Sequence, residues 1–121
     1  MYAALIRTHH ITSRKKVATL KAAAKRSGCV VLLRSGGTPG VMFVESTKAE
    51  NVQKWVDTVH GLRYKDYQLV SPTAILAGKA SRPAKESFDF EEVDTVKEFG
   101  ARMEQKGILD WWRKAMGYVS E

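Results

Sequence analysis

The chain has almost none of the residues that staple a small secreted protein together or carry one through a membrane. Cys29 is the one cysteine in 121 residues, which excludes an internal disulfide framework and suits a reducing compartment. No apolar run approaches the roughly 20 residues that a membrane span needs. The opening Met1 to Arg7 is too short and too quickly charged for a secretory signal. The expected compartment is therefore the cell interior, nucleus or cytosol. The most telling absence is of acid, because no Asp or Glu precedes Glu45.

That acid-free stretch holds Arg7, Arg14, Lys15, Lys16, Lys21, Lys25, Arg26 and Arg34, together with His9 and His10. The rest of the chain carries 12 basic and 13 acidic residues, so a part with charge +8 adjoins a part with charge −1. Fixed charge of one sign focuses a field locally and draws a polyanion to one end of a protein. Nucleic acid is the commonest partner that exploits such a field, by exchanging condensed counterions for Lys and Arg. The alternative is a solvated surface whose charges need no partner. A hydrophobic fraction of 44% with 27% charged residues fits one globular domain with one core.

Patterning predicts an α+β fold. Tyr2–His10 is rich in strand formers. Thr12 or Ser13 can cap a helix near 13–27, whose buried stripe is Val17, Leu20 and Ala24, with Gly28 as its left-handed stop. Cys29–Leu33 and Val41–Val44 are short apolar strands around the turn-forming run 35–40. Thr47 and Glu50 fit a capping box for a helix with Val52, Trp55, Val56 and Val59 on one face. Leu62–Val70 alternates as a fourth strand. Strand, helix, strand, strand, helix, strand is the split βαβ order of a ferredoxin-like fold, with a four-stranded antiparallel sheet.

Residues 71–90 lack a clear period and read as an extended connection. The acidic run Asp89, Glu91, Glu92 and Asp94 is expected to start a helix, where negative charge meets the positive end of the dipole. Thr95 and Glu98 form a second capping-box signature; Val96, Phe99 and Met103 follow on one face. Gly107 breaks that helix, and Ile108–Met116 forms the last. The expected organisation is thus a core over 1–70, a connection over 71–90 and a helical extension over 91–121. Strands two and three are apolar on both faces, so the C-terminal helices are the expected cover for the second face of the sheet.

On the first helix Arg14, Lys21 and Lys25 fall within about 40° of one another, with Lys15 and Arg26 beside them. No acid on that helix neutralises them by i, i+4 pairing. Such a stripe contacts phosphates without reading sequence. Arg7 and Arg34 are expected to extend it, and His9 or His10 to stack on a base or bond a phosphate. Adjacent strand residues point to opposite faces, so the two histidines are not expected to share a metal. The glycine-rich turn runs into a strand and is no phosphate-binding loop, and Gly78-Lys79 lacks the upstream glycine. Cys29 opens an apolar strand and reads as a buried thiol. Trp112 shares a face with Ile108 and Leu109 and reads as core. No catalytic constellation, metal or cofactor is expected.

His9-His10-Ile11, the hairpin from Gly28 to Leu33 and from Gly37 to Glu45, and Leu62-Arg63-Tyr64-Lys65-Asp66-Tyr67 together resemble one known family. This is the C-terminal domain family of the spliceosomal pre-mRNA-processing factor 3, which also follows the RWD domain in some RWD-domain-containing proteins. The likeness covers about residues 3–70 and is closer to the RWD-linked members; Ser46 stands where the family usually has Gly after Glu45. The resemblance implies a ferredoxin-like fold and, from the spliceosomal member, contact with small nuclear RNA. The expected function is a small non-enzymatic RNA-binding domain of RNA processing or of a ribonucleoprotein. The alternative is a protein-interaction module that docks a partner through its C-terminal helices or the 71–90 segment.

Overall fold

The computed structural model describes residues 1–77 and 88–118. The elements are β1 (Tyr2–Thr8), α1 (Arg14–Ser27), β2 (Val30–Arg34), β3 (Gly40–Ser46), α2 (Ala49–Gly61), β4 (Gln68–Ile75), β5 (Asp89–Val93), α3 (Val96–Gln105) and α4 (Leu109–Met116). The strands form one five-stranded mixed sheet in the order β4-β1-β3-β2-β5. Within it β1 is antiparallel to β3 and β4, β3 is antiparallel to β2, and β5 is parallel to β2. The expected four-stranded antiparallel sheet is therefore corrected by one strand.

Two-residue periodicity divides the apolar residues between two cores. Ala4, Ile6, Val31, Leu33, Met42 and Val44 meet the apolar faces of α1 and α2 on one side. Ala3, Leu5, Leu32, Val41, Phe43 and Val93 meet α3 and α4 on the other. The doubly apolar strands are explained by that sandwich, and the C-terminal helices are the cover the patterning asked for. Trp112 is in this second core, stacked on Phe99 at 5.5 Å between ring centroids. On the first side the buried Trp55 donates its indole N–H to the Leu20 carbonyl at 3.0 Å, which pins α2 to α1.

Local chemistry sets most boundaries. Ser13 caps α1 by accepting from Lys16 N–H, and Gly28 closes it at φ 63°, a conformation that a Cβ would penalise. Thr95 and Glu98 form both bonds of the capping box at the start of α3. The box expected of Thr47 and Glu50 is not made. Lys48 is the N-cap of α2 and has no side-chain cap bond; its N–H donates instead to the Ser46 hydroxyl at 3.3 Å.

The largest departures lie after α2. The fourth strand runs over Gln68–Ile75 and not over 62–70, because 62–67 is a loop with Arg63 and Asp66 at φ 57° and 56°. Pro72 does not stop the strand, since β4 is an edge and the proline falls at a register shift, where Pro72 and Thr73 stand opposite the single residue Ala4. The acidic run builds β5 and not the first turn of a helix: Glu91 and Glu92 are strand residues, and only Asp94 lies just before the Thr95 cap. The connection expected over 71–90 is thus strand up to Ile75 and again from Asp89, and 78–87 lies outside the described residues.

Candidate nucleic-acid interface

Helix α1 presents the basic stripe because Val17, Leu20, Ala23 and Ala24 take its inward face. Lys15, Lys21, Lys25 and Arg26 are exposed, and among the described residues none is in an ion pair. Arg14 differs. Its guanidinium makes two hydrogen bonds to Glu92 of β5, at 3.1 and 2.9 Å, and the Ser35 hydroxyl donates to the same carboxylate at 2.8 Å. The bond from Arg14 chiefly holds the Glu92 carboxyl below its ordinary range, with Lys21 adding a smaller attraction. The acid that the helix lacks is supplied from the neighbouring strand, and it occupies the first residue of the stripe.

The first turn of α1 holds Arg14, Lys15 and Lys16 and no acid. Cations at the positive end of a helix dipole oppose stability, and the structure compensates two of them. Arg14 has Glu92, and the Lys16 ammonium lies 4.8 Å from the centroid of the Tyr64 ring.

Arg7 and Arg34 do not extend the stripe. Both stand opposite Val41 in the strand register, and Val41 belongs to the core under α3 and α4. They project from the face of the sheet away from α1. Arg34 donates to the carbonyls of Asp94 and Pro39, at 2.9 and 3.0 Å, and so braces the hairpin loop. Arg7 donates to the neutral Gln68 side chain at 3.1 Å.

His9 links three segments at this end of the sheet. Its N–H donates to the Lys65 carbonyl at 2.9 Å and its carbonyl accepts from Gly40 N–H at 3.2 Å. Its Nδ1 is 3.5 Å from Asp66 Oδ2. Because β1 ends at Thr8, strand alternation no longer governs the pair, and the His9 and His10 rings lie 4.8 Å apart. That corrects the expectation of opposite faces; no group of three side chains suited to a metal occurs among the described residues. Arg7, Thr8, His9, Thr38, Pro39, Asp66 and Gln68 line an open cleft of about 320 Å3.

A second open cleft, of about 400 Å3, is lined by His60, Gly61, Arg63, Tyr64 and Tyr67. None of these is among the interface residues expected from the sequence, where 62–70 alternates as a strand. The density of aromatic and basic residues in Arg63-Tyr64-Lys65-Asp66-Tyr67 was the available signal. Tyr64 is buried, which pushes its phenol up to about 12, and its hydroxyl has no hydrogen-bond partner among the described residues. Contacts join the two regions: Lys16 covers Tyr64, and Lys65 holds His9. Lys16 therefore lies on the flank of α1 that faces the loop after α2, across the helix from Arg14, Lys21 and Lys25.

No protein-family model matches the chain, and no curated protein matches it. In fold it is similar to a solved structure described as a bacterial light-regulated adenylyl cyclase, with a TM-score of 0.56 and 12% identity. The match covers 98% of this chain and 36% of that one, and at this identity the likeness is one of fold alone.

Proposed function

We propose that this chain is a small, non-enzymatic domain that binds single-stranded RNA, in RNA processing or a ribonucleoprotein. On this reading it belongs with the C-terminal domains of the pre-mRNA-processing factor 3 family, as a ferredoxin-like core extended by β5, α3 and α4. The observation that carries the reading is the α1 face, where Lys15, Lys21, Lys25 and Arg26 stand exposed and out of any ion pair among the described residues. Unpaired cations on a rigid helix are suited to phosphates because their counterions are released on binding. Glu45, which ends the hairpin motif, is buried and paired with Lys106, so it anchors the C-terminal extension and does not face a ligand.

Fluorescence anisotropy with labelled single-stranded RNA tests the reading. Binding should weaken with salt by a slope of roughly 0.7 for each phosphate neutralised. The paired reversal Lys21→Glu and Lys25→Glu should abolish binding with an unchanged circular dichroism spectrum. Absence of affinity for RNA at low salt rejects the proposal.

A second reading, a protein-interaction module, is favoured by one observation. Ile75 is 71% exposed on the edge strand β4, beside an open groove of about 400 Å3 that includes Leu76, Leu109 and Trp111. A partner captured after nuclease treatment at moderate salt, and lost with Ile75→Lys, supports this reading over the first.

A further inference from the structure

We propose that the cleft between the end of α2 and the start of β4 is a stacking site for one unpaired nucleobase. The proposal rests on the RNA-binding reading and assigns to it a place where a base, and not only the backbone, is held. The walls supply the groups that stack bases in single-stranded complexes, which are tyrosine, histidine and the guanidinium plane of arginine. His60 and Tyr67 have ring centroids 5.2 Å apart with planes inclined by 55°. That contact is tilted and occupies the sides the rings turn toward each other, which leaves a base the outer side of the exposed His60 ring and the cleft side of Tyr67. Arg63 is exposed at the rim. The volume of about 400 Å3 lies in the range of about 300–1,000 Å3 that small ligands occupy.

The loop is also set in advance. Arg63 and Asp66, neither of them glycine, take the left-handed conformation at φ 57° and 56°. Residues with a Cβ keep such a conformation only where their surroundings over-determine it, and these positions cluster at ligand clamps. Here the surroundings are the buried Tyr64 ring, the Lys65 carbonyl bound to His9 N–H, and the Asp66 carboxylate beside the His9 imidazole. A cradle held in this way loses little freedom when a base enters.

Charge favours a nucleotide over an uncharged aromatic ligand. Arg63 lines the cleft, Lys65 is exposed two residues further along the same loop, and Lys16 lies over the Tyr64 ring. Two acids stand nearby: Asp66 is 3.5 Å from His9, and Asp57, which accepts from the Gln53 amide at 2.9 Å, keeps its negative charge and acts on Tyr67. Phosphates on either side of a stacked base then meet Arg63 and Lys65. Stacking of this kind is tolerant of sequence, so the site confers a preference for single strands and not a code.

The test compares a short oligouridine with the same strand carrying abasic riboses, by anisotropy at one salt concentration. The native protein should bind the base-bearing strand about tenfold more tightly. Tyr67→Leu should erase that difference and leave affinity for the abasic strand unchanged. Arg63→Gly, which relieves the left-handed backbone, should shrink the difference without loss of thermal stability, so the test survives if Tyr67→Leu is poorly folded. Equal binding of both strands by the native protein overturns the base site and leaves RNA binding standing. Failure to bind either strand overturns the RNA-binding reading itself.

Discussion

Lys106, just beyond α3, reaches Glu45 of the middle strand β3 at 2.5 Å, across 61 positions of sequence. The glutamate side chain is 4% exposed and the lysine side chain 15%. The same ammonium lies 5.5 Å from the centroid of Phe43, whose ring meets Trp111 edge-on. One ion pair inside the second core thus joins the hairpin to the helical extension. Removing the lysine takes a cation away from a buried carboxylate, at a cost of up to about 3–5 kcal/mol for a pair of this kind. Lys106→Met should lose that much in urea denaturation, and the double change Lys106→Met with Glu45→Gln should regain most of it. A single variant as stable as the native chain sinks the assignment.

Glu92 ties pH to stability. Its folded carboxyl lies below the ordinary value of 4.5, first because of the bond from Arg14. The folded state therefore binds the proton more weakly than the unfolded state does. The stabilisation is fully present above the ordinary value and is lost as pH falls through the depressed folded one. Arg14 is 64% exposed, so solvent screening limits the pair to about 0.2–1 kcal/mol. Glu92→Gln should cost that amount at neutral pH, and the difference should close in acid. A gap that stays constant from neutral to acid pH contradicts the linkage.

Cys29 should be inert. Burial alone pushes its thiol up to about 12, and the sulfur sits 3.5 Å from the Asn51 carbonyl oxygen inside the first core. A thiol-specific reagent at mildly alkaline pH should react only through opening of the fold, because the thiolate is the nucleophile. The labelling rate should rise with urea in step with unfolding. Rapid, urea-independent labelling of the native protein counts against burial.

What was legible in the sequence was what depends on neighbours in sequence. Gly28 as a left-handed stop, the Thr95 and Glu98 box and the buried faces of α1 and α2 are local matters, and each stands as patterned. The misreadings came where a tertiary contact reversed a local cue. Leu62 to Tyr67 alternates like a strand, yet Tyr64 turns into the core and Arg63 and Asp66 go left-handed. Asp89 to Val93 looks like the acidic first turn of a helix, yet Glu91 and Glu92 point to opposite faces of β5 and pair with Arg102 and Arg14 from the two helical layers. A strand whose outward residues are held by ion pairs has no polar-apolar rhythm to read. The charge stripe was visible, but its partial neutralisation from another element was not.

That neutralisation gives the proposed interface an internal gradient. Arg14 already spends its guanidinium on Glu92, whereas Lys21 and Lys25 are exposed and outside any ion pair among the described residues. Neutralising Arg14 should therefore weaken RNA binding less than neutralising Lys21 or Lys25, though all three share one face. Glu92→Gln should do the opposite of a usual surface change. It releases Arg14 and removes a negative charge from the field, so affinity should rise about threefold at low salt, and the salt slope should steepen by up to roughly 0.7. Anisotropy titrations of Arg14→Gln, Lys21→Gln and Glu92→Gln across a salt series check the order. If Arg14→Gln costs as much as Lys21→Gln and Glu92→Gln changes nothing, the ion pair does not compete with RNA and the strand passes elsewhere on the helix.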